Sequence, residues 1–179
     1  MKLLDLYKST DNKSDKELYH QYISHFYDEK FEKFKDKEIS ILEIGIQYGN
    51  SLKLWDEYFT NGKIYAIDIK EYYIHSYSSK VNTIIGNAYS HQIISFFKDR
   101  GILFDIIIDD GPHTVQTQDF FLQNYPSLLK PNQSMIILED IYTNNFAFLR
   151  DKYSDYSVVD LTSKIGGEMN SRILYKEYS

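Results

Sequence analysis

Apolar runs of strand length alternate with segments of helical periodicity along most of this chain, and that alternation limits what it can fold into. ISILEIGI (39–46), KIYAIDI (63–69), VNTIIG (81–86), FDIIIDD (104–110) and SMIILED (134–140) read as five strands. Between them, SLKLWDEYF (51–59) carries Leu52, Trp55, Tyr58 and Phe59 at helical spacing. HQIISFFKDR (91–100), stopped by Gly101, and QTQDFFLQNYPSLL (116–129) are also helical. Strands that are apolar at nearly every residue are buried on both faces, which means a parallel sheet covered by its crossover helices. A last helix near 143–153 and two closing strands, YSVVDLT (156–162) and SRILYKE (171–177), complete the pattern.

The expectation is an α/β fold, a Rossmann-like doubly wound, mostly parallel seven-stranded sheet with helices on both faces. With 179 residues, 42% of them apolar, and no long Gly/Pro/Ser linker, the chain fits one domain over 1–179. Residues 1–38 form a helical N-terminal cap segment in this reading. Tyr19, Tyr22, Ile23, Phe26, Tyr27, Phe31 and Phe34 recur there at spacings of three and four, giving an apolar stripe. It either packs on the flank of the sheet or roofs the pocket, since open α/β sheets bind ligands at the carboxyl ends of their strands.

Composition removes several functions. There are no cysteines, so disulfides, thiolate metal sites and cysteine nucleophiles are excluded. A net charge of -6 argues against a nucleic-acid partner. The lysines between Lys30 and Lys37 interleave with acids and read as a solvated helix face. No apolar run is long enough for a membrane span, and the N-terminus is too charged for a signal peptide, so a soluble, cytoplasmic protein without a membrane partner is expected.

The polar residues then fall into a pattern. Glu43 lies inside the first strand, Asp68 ends the second, Asp109 and Asp110 end the fourth, and Glu139 and Asp140 end the fifth. In a parallel sheet all these ends share the edge where ligands sit. In LEIGIQYGNS, Gly45 and Gly49 allow close backbone approach to a ligand, and Asp68 suits ribose hydroxyls. The spacing is not that of the dinucleotide fingerprint, and Glu43 suits a ligand carrying positive charge better than a pyrophosphate. IIIDDGPHT (106–114) places two adjacent carboxylates before His113, which is either a polar turn or a site for metal binding and proton transfer.

LEIGIQYGNSLKLWDEYF followed by IYAIDI resembles the first motifs of class I S-adenosylmethionine-dependent methyltransferases. IIIDDGPHT with LLKPNQSMIILEDI resembles the metal-dependent sugar O-methyltransferases of the macrocin and mycinamicin type and the related cephalosporin-hydroxylase-like group. TDNKSDKELYHQYISHFY is similar to the T-D-K…H-x-Y segment that precedes their catalytic domain, so the resemblance covers roughly residues 9 to 142. The resemblance implies that Asp110, Glu139 and Asp140 bind a divalent cation, Mg²⁺ by its preference for hard oxygen ligands, and that His113 is the general base. It implies S-adenosylmethionine as cofactor, with Glu43, Gly45, Gly49, Ser51, Asp68, Asn87 and Asp109 as its residues; Asp109 either faces the cofactor or anchors the turn. His20, His25, His75 and His91 match no catalytic motif and read mainly as surface or packing residues, with His20 and His25 alternatively lining the pocket.

The reaction so implied is O-methylation of a sugar or other small molecule with neighbouring hydroxyls, catechols included. A cofactor- or metal-binding protein on the same scaffold without methyl transfer is the alternative. An RNA 2′-O-methyltransferase fits less well, because the chain is acidic and lacks a Lys-Asp-Lys-Glu arrangement at its strand ends. The family carries a sizeable N-terminal accessory domain, whereas 38 residues precede the first strand here, so the acceptor and any homo-oligomer are expected to differ. Pro112 stands where related proteins often have Ser, and SKIGGEMNSR (163–172) reads as a pocket-edge loop.

Overall fold

A computed structural model describes residues 1–71, 76–163 and 169–179. His75 and residues 164–168 of the expected pocket-edge loop lie outside the described residues. The sheet has seven strands: β1 (Ser40–Ile44), β2 (Lys63–Asp68), β3 (Val81–Ile85), β4 (Ile106–Asp109), β5 (Ser134–Leu138), β6 (Ser157–Asp160) and β7 (Arg172–Tyr178). Their order is β3-β2-β1-β4-β5-β7-β6, parallel from β3 to β5, with β7 antiparallel to both neighbours. The doubly wound, mostly parallel sheet expected from the apolar runs is the one observed.

The central strands split their side chains between two cores, as the period of two requires. Ile41, Ile64, Ile106, Ile108, Met135 and Ile137 face one layer; Leu42, Ile67, Ile107, Ile136 and Leu138 face the other. The second layer is covered by α5 (His91–Asp99), α6 (Val115–Asn124) and α7 (Thr143–Lys152). The first is covered by α4 (Asn50–Tyr58) and by the N-terminal segment. That segment is broken into α1 (Leu3–Ser9), α2 (Asp15–Leu18), a π-helical turn (Ile23–Tyr27) and α3 (Asp28–Glu32).

The aromatic stripe does both things considered for it. Tyr22, Ile23, Phe26, Tyr27, Phe31 and Phe34 are buried on the flank of the sheet, where Tyr27 and Phe31 pack on Trp55. Tyr19 is 55% exposed and instead lines a cavity over the strand ends. The Lys30–Lys37 face is solvated as expected: Lys30 and Lys33 reach Glu177, and Lys37 reaches Gln133, all in exposed contacts. The helix expected over 116–129 ends at Asn124, and Pro126, which lacks a backbone N–H, sits in a 3₁₀ turn over Tyr125–Leu128. No described helix is long and apolar enough to cross a membrane.

Candidate active site

Register sets the site. Ile44 pairs with Asp109, and Asp109 with Leu138, so the residues that follow β1, β4 and β5 arrive side by side. The amide of Asp110 donates to the Ile44 carbonyl at 2.9 Å, and that of Glu139 to the Asp109 carbonyl at 3.0 Å. Gly45 has φ +92°, and a methyl group there would overlap the Asp110 carbonyl oxygen and lie 2.8 Å from its carbon. Gly45 therefore serves first the contact between two turns of the chain.

Above these turns opens a cavity of about 690 Å³. It is lined by Gly45, Gly49, Ser51, Asp68 and Asn87, by Asp110 and His113, and by Asp15, Leu18 and Tyr19 of the N-terminal segment. Asp68 holds the glycine loop by accepting from the Ile46 amide (2.8 Å) and the Gln47 amide (3.3 Å). Asn87 accepts from the Tyr89 amide at 3.0 Å.

Two of the residues expected to meet a cofactor stand behind this wall. Glu43 is fully buried; its Oε2 accepts from Ser51 Oγ and Trp55 Nε1, both at 3.0 Å, so it braces α4 against β1. Burial pushes Glu43 up to about 7 despite the nearby Lys16 ammonium. Asp109 is likewise buried, accepts from Tyr89 Oη at 2.5 Å and from the Gly111 amide at 3.2 Å, and is pushed up to about 7 by burial. Of the two roles open to Asp109, the geometry is that of a turn anchor. Gly111 has no room for a side chain because the Tyr89 hydroxyl occupies that position.

Asp110, His113 and Asp140 offer donor atoms that all lie within 4.8 Å of one another. His113 Nε2 is 3.8 Å from Asp110 Oδ1 and 3.7 Å from Asp140 Oδ2. Both His113 (φ 57°) and Asp140 (φ 54°) have left-handed backbones, a region that Asp and His enter more readily than most residues. Gln118 holds the second of these turns by donating to the carbonyls of Glu139 (3.3 Å) and Asp140 (3.2 Å). Burial lowers His113 below its ordinary 6.5, so the imidazole is neutral near pH 7 and able to accept a proton. Burial, then the Asp110 charge, raises Asp140 to about 8.

Glu139, expected as a third metal ligand, is placed differently. Its two oxygens accept from Lys16 Nζ and Tyr27 Oη in very short contacts, and it is not one of the grouped donors. Lys16 is a residue that the sequence pattern does not single out. It is 1% exposed, and its Nζ lies 2.6 Å from Asp110 Oδ2 and 3.2 Å from Glu43 Oε1 as well as against Glu139. Burial alone would lower its affinity for a proton, but the charges of Asp110, Glu139 and Glu43 raise it well above the ordinary lysine value. Tyr22 donates to Asp140 Oδ1 at 2.8 Å, and His20 brings Nε2 to 3.6 Å from Asp140 Oδ2 while its Nδ1 meets Ser171 Oγ. Lys16, His20 and Tyr22 all belong to the S-D-K…H-x-Y stretch, which is the signal available for them. His25 is exposed beside Gln21, and His91 packs on Phe120.

Known structures share this architecture. The structure aligns over 99% of its length with the methyltransferase MycE of the mycinamycin biosynthetic pathway in complex with Mg and SAH, at a TM-score of 0.72 and 20% identity, covering 55% of that chain. A second structure of MycE, with Mg, SAH and mycinamycin VI, matches 78% of the chain and 37% of its own at 25% identity and a TM-score of 0.67. The chain has the fold of a class I S-adenosylmethionine-dependent methyltransferase.

In sequence this methyltransferase-fold chain resembles the sugar O-methyltransferases of macrolide pathways. It is 30% identical over 125 residues to demethylmacrocin O-methyltransferase of Streptomyces fradiae, and 29% identical over 125 residues to mycinamicin VI 2''-O-methyltransferase of Micromonospora griseorubida. Each alignment takes in 65% of the chain and 31% of the relative, so the chain spans about a third of the length of these curated relatives. No protein-family model matches it.

Proposed function

We propose that the chain is a divalent-cation-dependent O-methyltransferase acting on a hydroxyl of a sugar or glycosylated small molecule with neighbouring hydroxyls. The observation that carries the reading is one cavity in which the Gly45–Gly49 loop and Asp68 face Asp110 and His113. The likeness to relatives named for sugar O-methylation supports the acceptor class.

The donor set suits a hard cation: two carboxylates from the turns after neighbouring strands, and no thiolate anywhere in the sequence. Asp110 and Asp140 would hold the ion, with Glu139 supplying further negative charge beside them. Such an ion supplies Lewis-acid polarisation of the acceptor hydroxyl. S-adenosylmethionine would lie along Gly45, Gly49, Ser51, Asp68 and Asn87, and supplies a methyl group on a sulfonium.

His113 does the proton chemistry. Its neutral Nε2 accepts the hydroxyl proton as the acceptor oxygen bonds to the methyl carbon and the carbon–sulfur bond breaks. The left-handed backbone at His113 is held by Asn145 Nδ2, which donates to its carbonyl at 3.3 Å, and His113 lines the cavity. Leu18 and Tyr19, exposed on the cavity rim, give the acceptor an apolar surface and shield the reacting hydroxyl from water.

Calorimetric titration with S-adenosylmethionine, with and without Mg²⁺, tests the reading, followed by transfer of labelled methyl to sugars, glycosylated compounds and catechols. Binding of the cofactor and Mg²⁺-dependent labelling of a sugar hydroxyl are expected. Absence of cofactor binding in both conditions would overturn the reading, and labelling of catechols alone would overturn the acceptor class.

A further inference from the structure

Glu43, Asp110 and Glu139 point to the same side of the sheet, because each continues the alternation of its strand on the layer faced by Ile41, Ile108 and Ile137. That layer is the one covered by the N-terminal segment. Glu43 and Glu139 are buried and Asp110 is mostly so, and the positive charge that stabilises their ionised forms arrives from α2. Lys16 Nζ, with three donors, meets one oxygen of each. Glu43 Oε1 makes no directed hydrogen bond, so the ammonium 3.2 Å away is the charge that faces it. The lysine is held in register by its neighbours. Ser14 Oγ accepts from the Lys16 amide, Asn12 Oδ1 accepts from the Ser14 amide at 2.8 Å, and Asn12 Nδ2 donates to the Asn50 carbonyl at 2.9 Å.

Asp110 divides its oxygens. Oδ2 goes to Lys16, and Oδ1 faces His113 and the donor group shared with Asp140. A carboxylate shared between two cations is the bridging arrangement of two-metal sites. We infer that Lys16 is the built-in second cation of this site: its ammonium takes the place of one metal ion among Glu43, Asp110 and Glu139, so that the site binds one divalent ion, at Asp110 and Asp140, rather than two. The inference rests on the metal reading above.

The test uses the full chain and Mn²⁺ as probe, counting bound ions by electron paramagnetic resonance and measuring Tm in chelator and in Mn²⁺. The wild type is expected to bind one ion. Lys16→Met, which keeps length and loses charge, is expected to bind a second ion, to melt roughly 10 °C lower in chelator, and to regain most of that loss in Mn²⁺. Lys16→Arg and the charge-balanced Lys16→Met/Glu43→Gln are expected to return to one ion. A Lys16→Met protein that binds one ion and whose lost Tm is not restored by Mn²⁺ overturns the inference and leaves the metal reading intact. Two ions in the wild type, both lost in Asp110→Asn, overturn it without recourse to any Lys16 variant. No ion in the wild type overturns the metal reading and this inference together.

Discussion

Replacing Gly45 by alanine tests whether two turns of the chain are locked together to place Asp110, the proposed metal-binding carboxylate. The added methyl group would overlap the Asp110 carbonyl oxygen and lie 2.8 Å from its carbon, where carbon atoms rest at about 3.5–4.0 Å. The turn after β4 must therefore retreat by about 1 Å. The backbone at φ +92° adds strain of about 1 kcal/mol for any L side chain, and forced overpacking adds about 1–3 kcal/mol. A total near 3 kcal/mol lowers the Tm of a chain this size by roughly 6–12 °C. Displacing Asp110 by about 1 Å also misplaces the acceptor relative to the methyl donor, for a loss of about 100-fold in methyl transfer. Differential scanning calorimetry gives the first quantity and labelled-methyl transfer the second. A Gly45→Ala protein that melts within about 2 °C of the wild type and transfers methyl at the wild-type rate would refute the argument that Gly45 is required by Asp110.

Further predictions separate the remaining roles. His113→Ala should keep Mn²⁺ and cofactor binding and lose transfer; a large loss of Mn²⁺ affinity would instead make His113 a ligand. The acid limb of the rate profile should have its midpoint below 6.5, since burial lowers His113, and a midpoint above that value would count against a neutral buried base. The stability of the ion-free protein should fall as pH rises. Glu43 and Asp109 are pushed up to about 7 and Asp140 to about 8, so the folded chain keeps protons that unfolded carboxylates release near pH 4. Their stabilisation is complete below about pH 4 and is lost on the way to about pH 8. His113 opposes this only below 6.5, and saturating Mg²⁺ should flatten the slope; a Tm in chelator that rises across this window would contradict the burial of these acids. Tyr22→Phe removes the donor to Asp140 and should cost about 1–3 kcal/mol, read from denaturant unfolding.

The sheet was legible because burial on both faces writes itself into sequence as unbroken apolar runs, and every expected strand is present with its ends shifted by a residue or two. The grouping of acids at one edge followed from that topology. What was not legible depended on contacts between distant parts of the chain. Lys16 sits in a charged stretch whose composition describes a solvated helix, and apart from its place in the S-D-K…H-x-Y stretch nothing local distinguishes it from Lys13, which is exposed. Gln118 reads as a polar helical position, yet it is buried and holds the Asp140 turn. Glu43 looked like a ligand residue because it precedes a glycine loop; the indole of Trp55, from a helix the sequence did show, turns it inward.

One part of the hidden arrangement was nevertheless contained in the strand pattern. In β4 the side chains alternate, so Asp109 follows Ile107 to one face while Asp110 follows Ile108 to the other. The same count carries Glu43 after Ile41 and Glu139 after Ile137 to the face of Asp110. Two adjacent aspartates thus cannot share one role. Asp109 meets a phenol from the α5 side, and Asp110 joins two further acids on the side of the N-terminal segment. Three acids on one buried face are stabilised in their charged form by a cation, and the described helices covering that face are α4 and those of the segment before β1. The lysine of α4, Lys53, is half-buried on its helix and pairs with none of the three acids. The charge comes from the N-terminal segment, which is why a stretch outside the sheet reaches the site and why removing its lysine should be felt at the proposed metal position.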